Sequence, residues 1–247
     1  MENTFHFHLR SQVLSSDDGG HNCWAVNLQE RVIPAGKTAV LLCDIWDNHW
    51  SRGAVDRLTE MLPRMNEVVA LARQKGAKII HAPSETLEFY TDSPARARML
   101  AIPKIKPPRN RRILKPRLPI DDRDGGSDTG EKSWYKAWAR QHPAITIDEE
   151  QDVISDDGQE IFSFLHDQGI EFLVILGVHT NMCILNRSFG IMQMVRWGVP
   201  VALVRDLTDT MYNPAKAPYV SHAEGTQLVI EYIEKFWCPT ILSSELI

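Results

Sequence analysis

Two residue types capable of covalent and proton-transfer chemistry stand just beyond apolar runs that read as buried strands. Cys183 lies in "GVHTNMCIL" (177–185), directly after "EFLVIL", and Asp44 lies in "LLCDIWDNHW" (41–50). A cysteine attacks as its thiolate, and a helix N-terminus favours that ion through unpaired N–H groups and a partial positive charge. A neighbouring carboxylate can take the thiol proton, and the same amides can hold the oxyanion of a tetrahedral intermediate. Each residue also has a plainer reading. A buried cysteine is usually a small hydrophobe, and an aspartate ending a strand often only caps the next loop. Their placement together keeps a cysteine hydrolase open beside ordinary packing.

The elements that must position them follow from hydrophobic patterning. "TAVLLCDIW" (38–46) is almost continuously apolar, the mark of a strand covered on both faces. In residues 53–76, Val55, Leu58, Leu62, Met65, Val69 and Ala72 recur at helical spacing; Gly76 suits the terminus and Pro63 should kink or restart the helix. "AKIIHA" (77–82) then completes a βαβ unit, which implies parallel strands and a right-handed crossover. The second half repeats the rhythm: strand "QDVIS", helix "GQEIFSFLHDQG", strand "EFLVILG", helix "NMCILNRSFGIMQMVRWG" and strand "VPVALVRD". Helix "HAEGTQLVIEYIEKFW" and a closing edge strand "PTILS" follow. This alternation predicts one α/β domain over 1–247, a three-layer doubly wound sandwich with a mainly parallel central sheet. Ligands of such sheets bind at the carboxyl ends of the strands, where strand order reverses, and Asp44 and Cys183 both fall there.

Two regions lie outside the rhythm. Residues 1–36 are polar and turn-rich and read as an N-terminal arm or hairpin; residues 86–144 form an inserted excursion. The excursion opens with the basic, proline-rich "KIKPPRNRRILKPRLP" and continues with the acidic, glycine-rich "DDRDGGSDTGE". The basic run has no aromatic residue for stacking on bases, so a segment folded over the domain is preferred to an RNA-binding one. The acidic run fails as an EF-hand, because Arg123 stands where an oxygen ligand is needed.

A net charge of −5 opposes general polyanion binding, and no apolar run reaches membrane-spanning length. The first residues lack the basic-then-apolar layout of a signal peptide. Four scattered cysteines without a CxxC pair fit free thiols in a reducing cytoplasm. The expected partners are a small-molecule substrate and further copies of the chain, with no nucleic acid and no membrane.

Residues 38–85 and 145–243 resemble the isochorismatase-like cysteine hydrolases, a superfamily that includes isochorismatases, nicotinamidases and N-carbamoylsarcosine amidohydrolase. The most specific stretch is "LGVHTNMCIL" with a following helix and "GVPVALVRD", similar to the family's Gly-x-x-Thr-x-x-Cys turn. The resemblance implies Cys183 as nucleophile, Asp44 as strand-one aspartate, a cis peptide at Val178–His179, and an oxyanion hole from the amides of His179 and Cys183. It implies hydrolysis of a small amide or related C–N bond through a thioester, with no organic cofactor. A silent binding or scaffold protein of the same fold, or an ether hydrolase that needs the aspartate but not the thiol, are the alternatives.

One element of the pattern is missing. The family's catalytic lysine should end the strand before "GQEIFSFL", where this chain has Ser155 and Asp156. A cation from the excursion, Lys136 ahead of Arg140, is the expected substitute. Asp47, His49 and His81 are candidate pocket residues, favoured in that role over ligation of a zinc-like divalent metal. Trp46, Trp50, Trp134, Trp138 and Tyr212 are candidates for the walls of a pocket for a planar or cyclic substrate, with ordinary packing the alternative for each.

Overall fold

A computed structural model describes residues 3–132 and 134–247. Eight strands form one sheet in the order β2-β1-β8-β7-β6-β3-β4-β5. The parallel part comprises β3 (Thr38–Cys43), β4 (Lys78–Ala82), β5 (Val153–Ile154), β6 (Phe172–Val178), β7 (Val201–Asp209) and β8 (Thr240–Ile241). From β3 the chain winds outward through β4 and β5, then returns to the other flank of β3 for β6, β7 and β8. Strand order therefore reverses between β3 and β6, whose carboxyl ends lead into Asp44 and Cys183. Cys43 pairs with Gly177 at that point. Gly177 has φ 118°, and a side chain there would collide with the Cys43 carbonyl, so the close approach of the two strand ends requires glycine.

The arm is an antiparallel hairpin, β1 (Thr4–Ser16) with β2 (Asn22–Pro34). It joins the sheet through β8, so the segment "PTILS" lies inside the sheet and not at its edge; the edges are β2 and β5. Because strand side chains alternate, β3 serves two cores. Val40 and Leu42 meet Leu58, Leu62, Met65 and Val69 of helix α1 (Arg52–Lys75) on one face. Leu41 and Cys43 meet the opposite layer, which contains α3 (Gly158–Asp167), α5 (Ile191–Trp197) and α6 (His222–Phe236). Helix α2 (Pro94–Leu100) flanks β5.

Helix boundaries follow local chemistry. Gly76 closes α1 in the left-handed region, Asp157 caps α3, and Ser221 with Glu224 forms a capping box on α6. Pro63 sits inside an uninterrupted α1. The segment read as one helix over 181–198 is two: α4 (Cys183–Asn186) is a single turn, and α5 starts at Ile191. The break is fixed by packing against the start of α3. Ser188 Oγ accepts the Gly158 N–H at 3.0 Å, and a side chain at Gly158 would strike the Ser188 carbonyl. No helix among the described residues is long and apolar enough to cross a membrane.

Candidate active site

Asp44 leaves β3 with φ 48° and is fully buried. Its Oδ1 accepts the Ser84 N–H at 2.8 Å, from the loop after β4, and its Oδ2 accepts Arg187 Nε at 2.9 Å. Cys183 opens α4 after a turn anchored at several points. The Thr180 N–H donates to the Asp209 carbonyl at 2.8 Å, and its hydroxyl bonds that of Thr208 at 2.8 Å. Asn181 exchanges two hydrogen bonds with the Met211 backbone and donates a third to Asp122 of the excursion at 2.8 Å. The Val178–His179 peptide is cis. The Met182 and Ile184 N–H groups both donate to the His179 carbonyl, which closes the turn under the thiol.

The electrostatics couple the thiol and the carboxylate. Burial raises the pKa of Asp44, although Arg187, Cys183 and Ser84 each favour its ion. Burial and then the Asp44 charge push the Cys183 thiol well above its ordinary value, against the pull of Arg187 and the His179 N–H. A one-turn helix therefore does not prevail at this thiol. Each member of the pair thus holds its proton more tightly than it would in water.

The cation at this pair is Arg187, four residues after the cysteine and bonded through its N–H to the Cys183 carbonyl at 3.0 Å. Burial opposes its charge, but Asp44 and Cys183 outweigh burial and raise its pKa further, so it stays protonated. Its guanidinium also reaches Glu85 at 3.3 Å and lies 5.9 Å from the centre of the Trp46 ring. Lys136, expected beside Asp44, instead donates to the Glu85 carbonyl at 2.6 Å. Arg140 stands 4.0 Å from Asp47. The place of the missing lysine is given to structural bonds: Ser155 Oγ donates to Glu160 at 2.6 Å, and Asp156 accepts the Glu85 N–H at 2.8 Å.

The excursion does cover this edge. Asp47 accepts the Ala139 N–H at 2.9 Å and so pins the loop after β3 to the excursion. Trp138 stacks on Trp46 with ring centres 4.0 Å apart, and these two with Trp50 and Met211 form a buried cluster against which Cys183 and Met182 pack. His49 lies nearly parallel to Trp138 at 5.8 Å, while Trp134 is largely exposed and meets the Trp138 ring edge-on. The Ser51 N–H donates to His49 Nδ1 at 3.1 Å, and burial lowers the His49 pKa to about 4. The neutral ring therefore carries its proton on Nε2. A cleft of about 390 Å³ opens at Cys183, lined by Leu118, Asp122, Asn181, Asn186 and Arg187 among others.

Two expected pocket residues lie elsewhere. His81 is fully buried and held between Gln141 (2.8 Å) and Asp152 (2.9 Å). Tyr212 is equally buried; its hydroxyl donates to the Lys216 carbonyl at 2.8 Å, and its ring fills the space beside Gly225. Nor do the candidate ligands converge on one point. Asp47, His49 and His81 are each committed to separate protein partners, and no group of three or more His, Cys, Asp or Glu among the described residues is arranged to hold a metal ion. Arg187 was available to sequence reasoning, because an i, i+4 spacing puts it on the cysteine's side of a helical turn. Ser84 acts through its backbone N–H and Asn181 through side-chain bonds to Met211 and Asp122, distant contacts that the sequence does not display.

No family model and no curated protein sequence matches the chain. Solved structures do. A cysteine hydrolase from Pseudomonas syringae pv. phaseolicola 1448A superposes with a TM-score of 0.54 at 16% identity, over 87% of this chain and 92% of that one. An isochorismatase from Pseudomonas putida KT2440 gives 0.52 at 14% identity, over 86% and 91%. An isochorismatase family protein from Burkholderia thailandensis gives 0.50 at 13%, over 85% and 93%. The chain has the α/β fold of the isochorismatase-like cysteine hydrolases.

Proposed function

We propose that the protein is a cysteine-dependent hydrolase of a small amide or related C–N bond. The observation that carries this reading is the pairing of the Cys183 thiol with a buried carboxylate whose Oδ2 is held by Arg187, at the reversal point of the sheet. Asp44 accepts the thiol proton as sulfur attacks the carbonyl carbon, and the N–H groups of His179 and Cys183 receive the oxyanion. The protonated Asp44 then returns that proton to the leaving nitrogen, the C–N bond breaks, and an amine or ammonia departs. Water attacks the thioester, giving its proton to Asp44; collapse releases the acid and the sulfur regains its proton.

Arg187 changes how this cycle is shared out. A lysine can hold charge and also trade protons, whereas a guanidinium stays charged throughout. Arg187 therefore steadies the negative charge of the pair, and Asp44 carries every proton. The test is release of ammonia or amine from a panel of small amides. Cys183→Ala should lower turnover by about 10³-fold or more on any substrate found. Full turnover in Cys183→Ala that is lost in Asp44→Asn would assign aspartate-driven hydrolysis that bypasses the thiol. Turnover retained in both would contradict the site.

A further inference from the structure

The basic stretch of the excursion has no part in the cycle above. Seven of the fourteen residues 104–117 are Lys or Arg and none is acidic, in a chain whose net charge is −5. Prolines at 103, 107, 108, 116 and 119 keep the segment out of helices and ladders, and it crosses the α3/α5/α6 face as an extended strap. It is held mainly by bonds that leave its charges free. The Ile105 N–H donates to Ser163, the Arg111 N–H to the Arg196 carbonyl at 2.9 Å, and the Pro116 carbonyl accepts the Tyr232 hydroxyl at 2.9 Å. Lys104 is the member with a carboxylate partner, Glu160 at 3.0 Å. Lys106, Arg109, Arg112 and Arg117 are exposed and form no ion pair among the described residues.

The strap ends at the mouth of the cleft. Lys115 Nζ donates to Asn186, which lines the Cys183 cleft, at 3.1 Å. A second groove, of about 820 Å³, is lined by Lys115, Arg117 and Arg123 and shares Leu118 and Asp122 with the Cys183 cleft, so the two adjoin. The carboxylates on this rim are engaged. Asp122 accepts from Asn181, and Asp121 holds Arg123 at 2.6 Å. On the inner side Asp44 and Glu85 are both met by Arg187. Among the described residues, Lys115 and Arg117 are the cations that remain uncommitted to a carboxylate between the groove and the thiol.

We infer that the groove formed by Lys115 and Arg117 is the subsite for an anionic group of the substrate, which is therefore a small amide carrying a carboxylate or similar negative charge. This rests on Cys183 marking the reacting end, as in the proposed function. A strap of one sign beside a cleft concentrates anions there and speeds their entry, an effect that salt screens over about 8 Å at physiological ionic strength. The bond broken and the proton path are those already given; the groove supplies binding and orientation.

The test compares two alkylating agents of similar size and opposite relevance, anionic iodoacetate and neutral iodoacetamide, with labelling of Cys183 in the full chain followed by peptide mapping. Measured at about pH 9, where an unactivated thiol still reacts slowly, the ratio of the two rates is obtained whether or not Cys183 is the nucleophile of turnover. Reactivity near neutral pH reports that second question separately. The iodoacetate-to-iodoacetamide ratio should fall about 5- to 10-fold in Arg117→Glu, and further when Lys115→Glu is added. In the unmodified protein it should fall as salt is raised from about 20 mM to about 0.5 M. Lys78→Glu, at the opposite end of the sheet, should leave the ratio where it was. A ratio insensitive to both salt and Arg117→Glu would overturn the anionic subsite, and so would an equal response to Lys78→Glu, which would mean net charge alone is being read.

Discussion

Asp44 and Asp152 are both almost completely buried, and each meets an arginine near the end of a parallel strand, yet their proton affinities move in opposite directions. Burial pushes both carboxyls up. At Asp152 the hydrogen bonds from His81 and Arg73 outweigh it, with Arg73 binding both oxygens at 2.9 and 2.6 Å and the Asp148 N–H adding a bond at 2.8 Å. At Asp44 one Arg187 nitrogen, the Ser84 N–H and a thiol do not suffice. A carboxylate whose oxygens are saturated with donors is a fixed anion that ties β4 and β5 to α1. One left short of donors retains a use for a proton. Burial alone therefore does not separate a structural from a working acid; the donor count does.

The comparison breaks if the two aspartates respond alike to the same substitution. Asp44→Asn should lower turnover by about 10³-fold with a small change in stability, because an amide keeps the shape but cannot take the thiol proton. In the unmodified protein turnover should decline as pH falls through a value above the ordinary 3.8 of an aspartate. Asp152→Asn should do the reverse. It leaves Arg73 facing a neutral group inside the fold and should cost about 3 to 5 kcal/mol in denaturant unfolding, with turnover of the folded protein retained. Its pH signature follows from the depressed pKa. The stabilisation is complete above the unfolded value near 3.8 and is lost as pH falls through the lower folded value, so parent and variant should converge in strong acid.

Arg187 sharpens the contrast with a smaller effect. Arg187→Gln should reduce turnover about 10²-fold and raise the Cys183 pKa further, since the guanidinium favours the thiolate. Arg187→Lys should recover part of both through its charge, and the pH profile of alkylation against turnover checks the two together. A merely structural role for Arg187 would lower stability without moving the thiol pKa.

Much of this was legible before the structure. The all-buried "TAVLLC" and "FLVILGV" runs, the periodicity of α1 and the short connections between elements were sufficient for a doubly wound sheet. The same reading put Asp44 and Cys183 at adjoining strand ends. What escaped it depends on tertiary contacts. The helix after Cys183 breaks at residues 187–190, where Ser188 packs on Gly158, thirty positions away, and Gly190 lies too close to the Ile184 carbonyl for a side chain. Arg187 leaves helical conformation there, with ψ 156°. The cation beside Asp44 comes from the nucleophile's own turn and not from the covering excursion, whose Lys136 meets the Glu85 carbonyl. His81 and Tyr212 were polar groups near the right strands, but side-chain alternation and loop packing turned them inward to Asp152 and Lys216.

The central claim is that Asp44 holds the Cys183 thiol in its protonated state and is the acceptor of its proton. The most direct measurement is the pH dependence of Cys183 alkylation by iodoacetamide in the parent and in Asp44→Asn. Removing the carboxylate's charge should move the apparent thiol pKa downward while turnover is lost, so the sulfur becomes more reactive toward the reagent as the protein becomes inactive toward amides. An apparent pKa that stays in place or rises in Asp44→Asn would contradict the account.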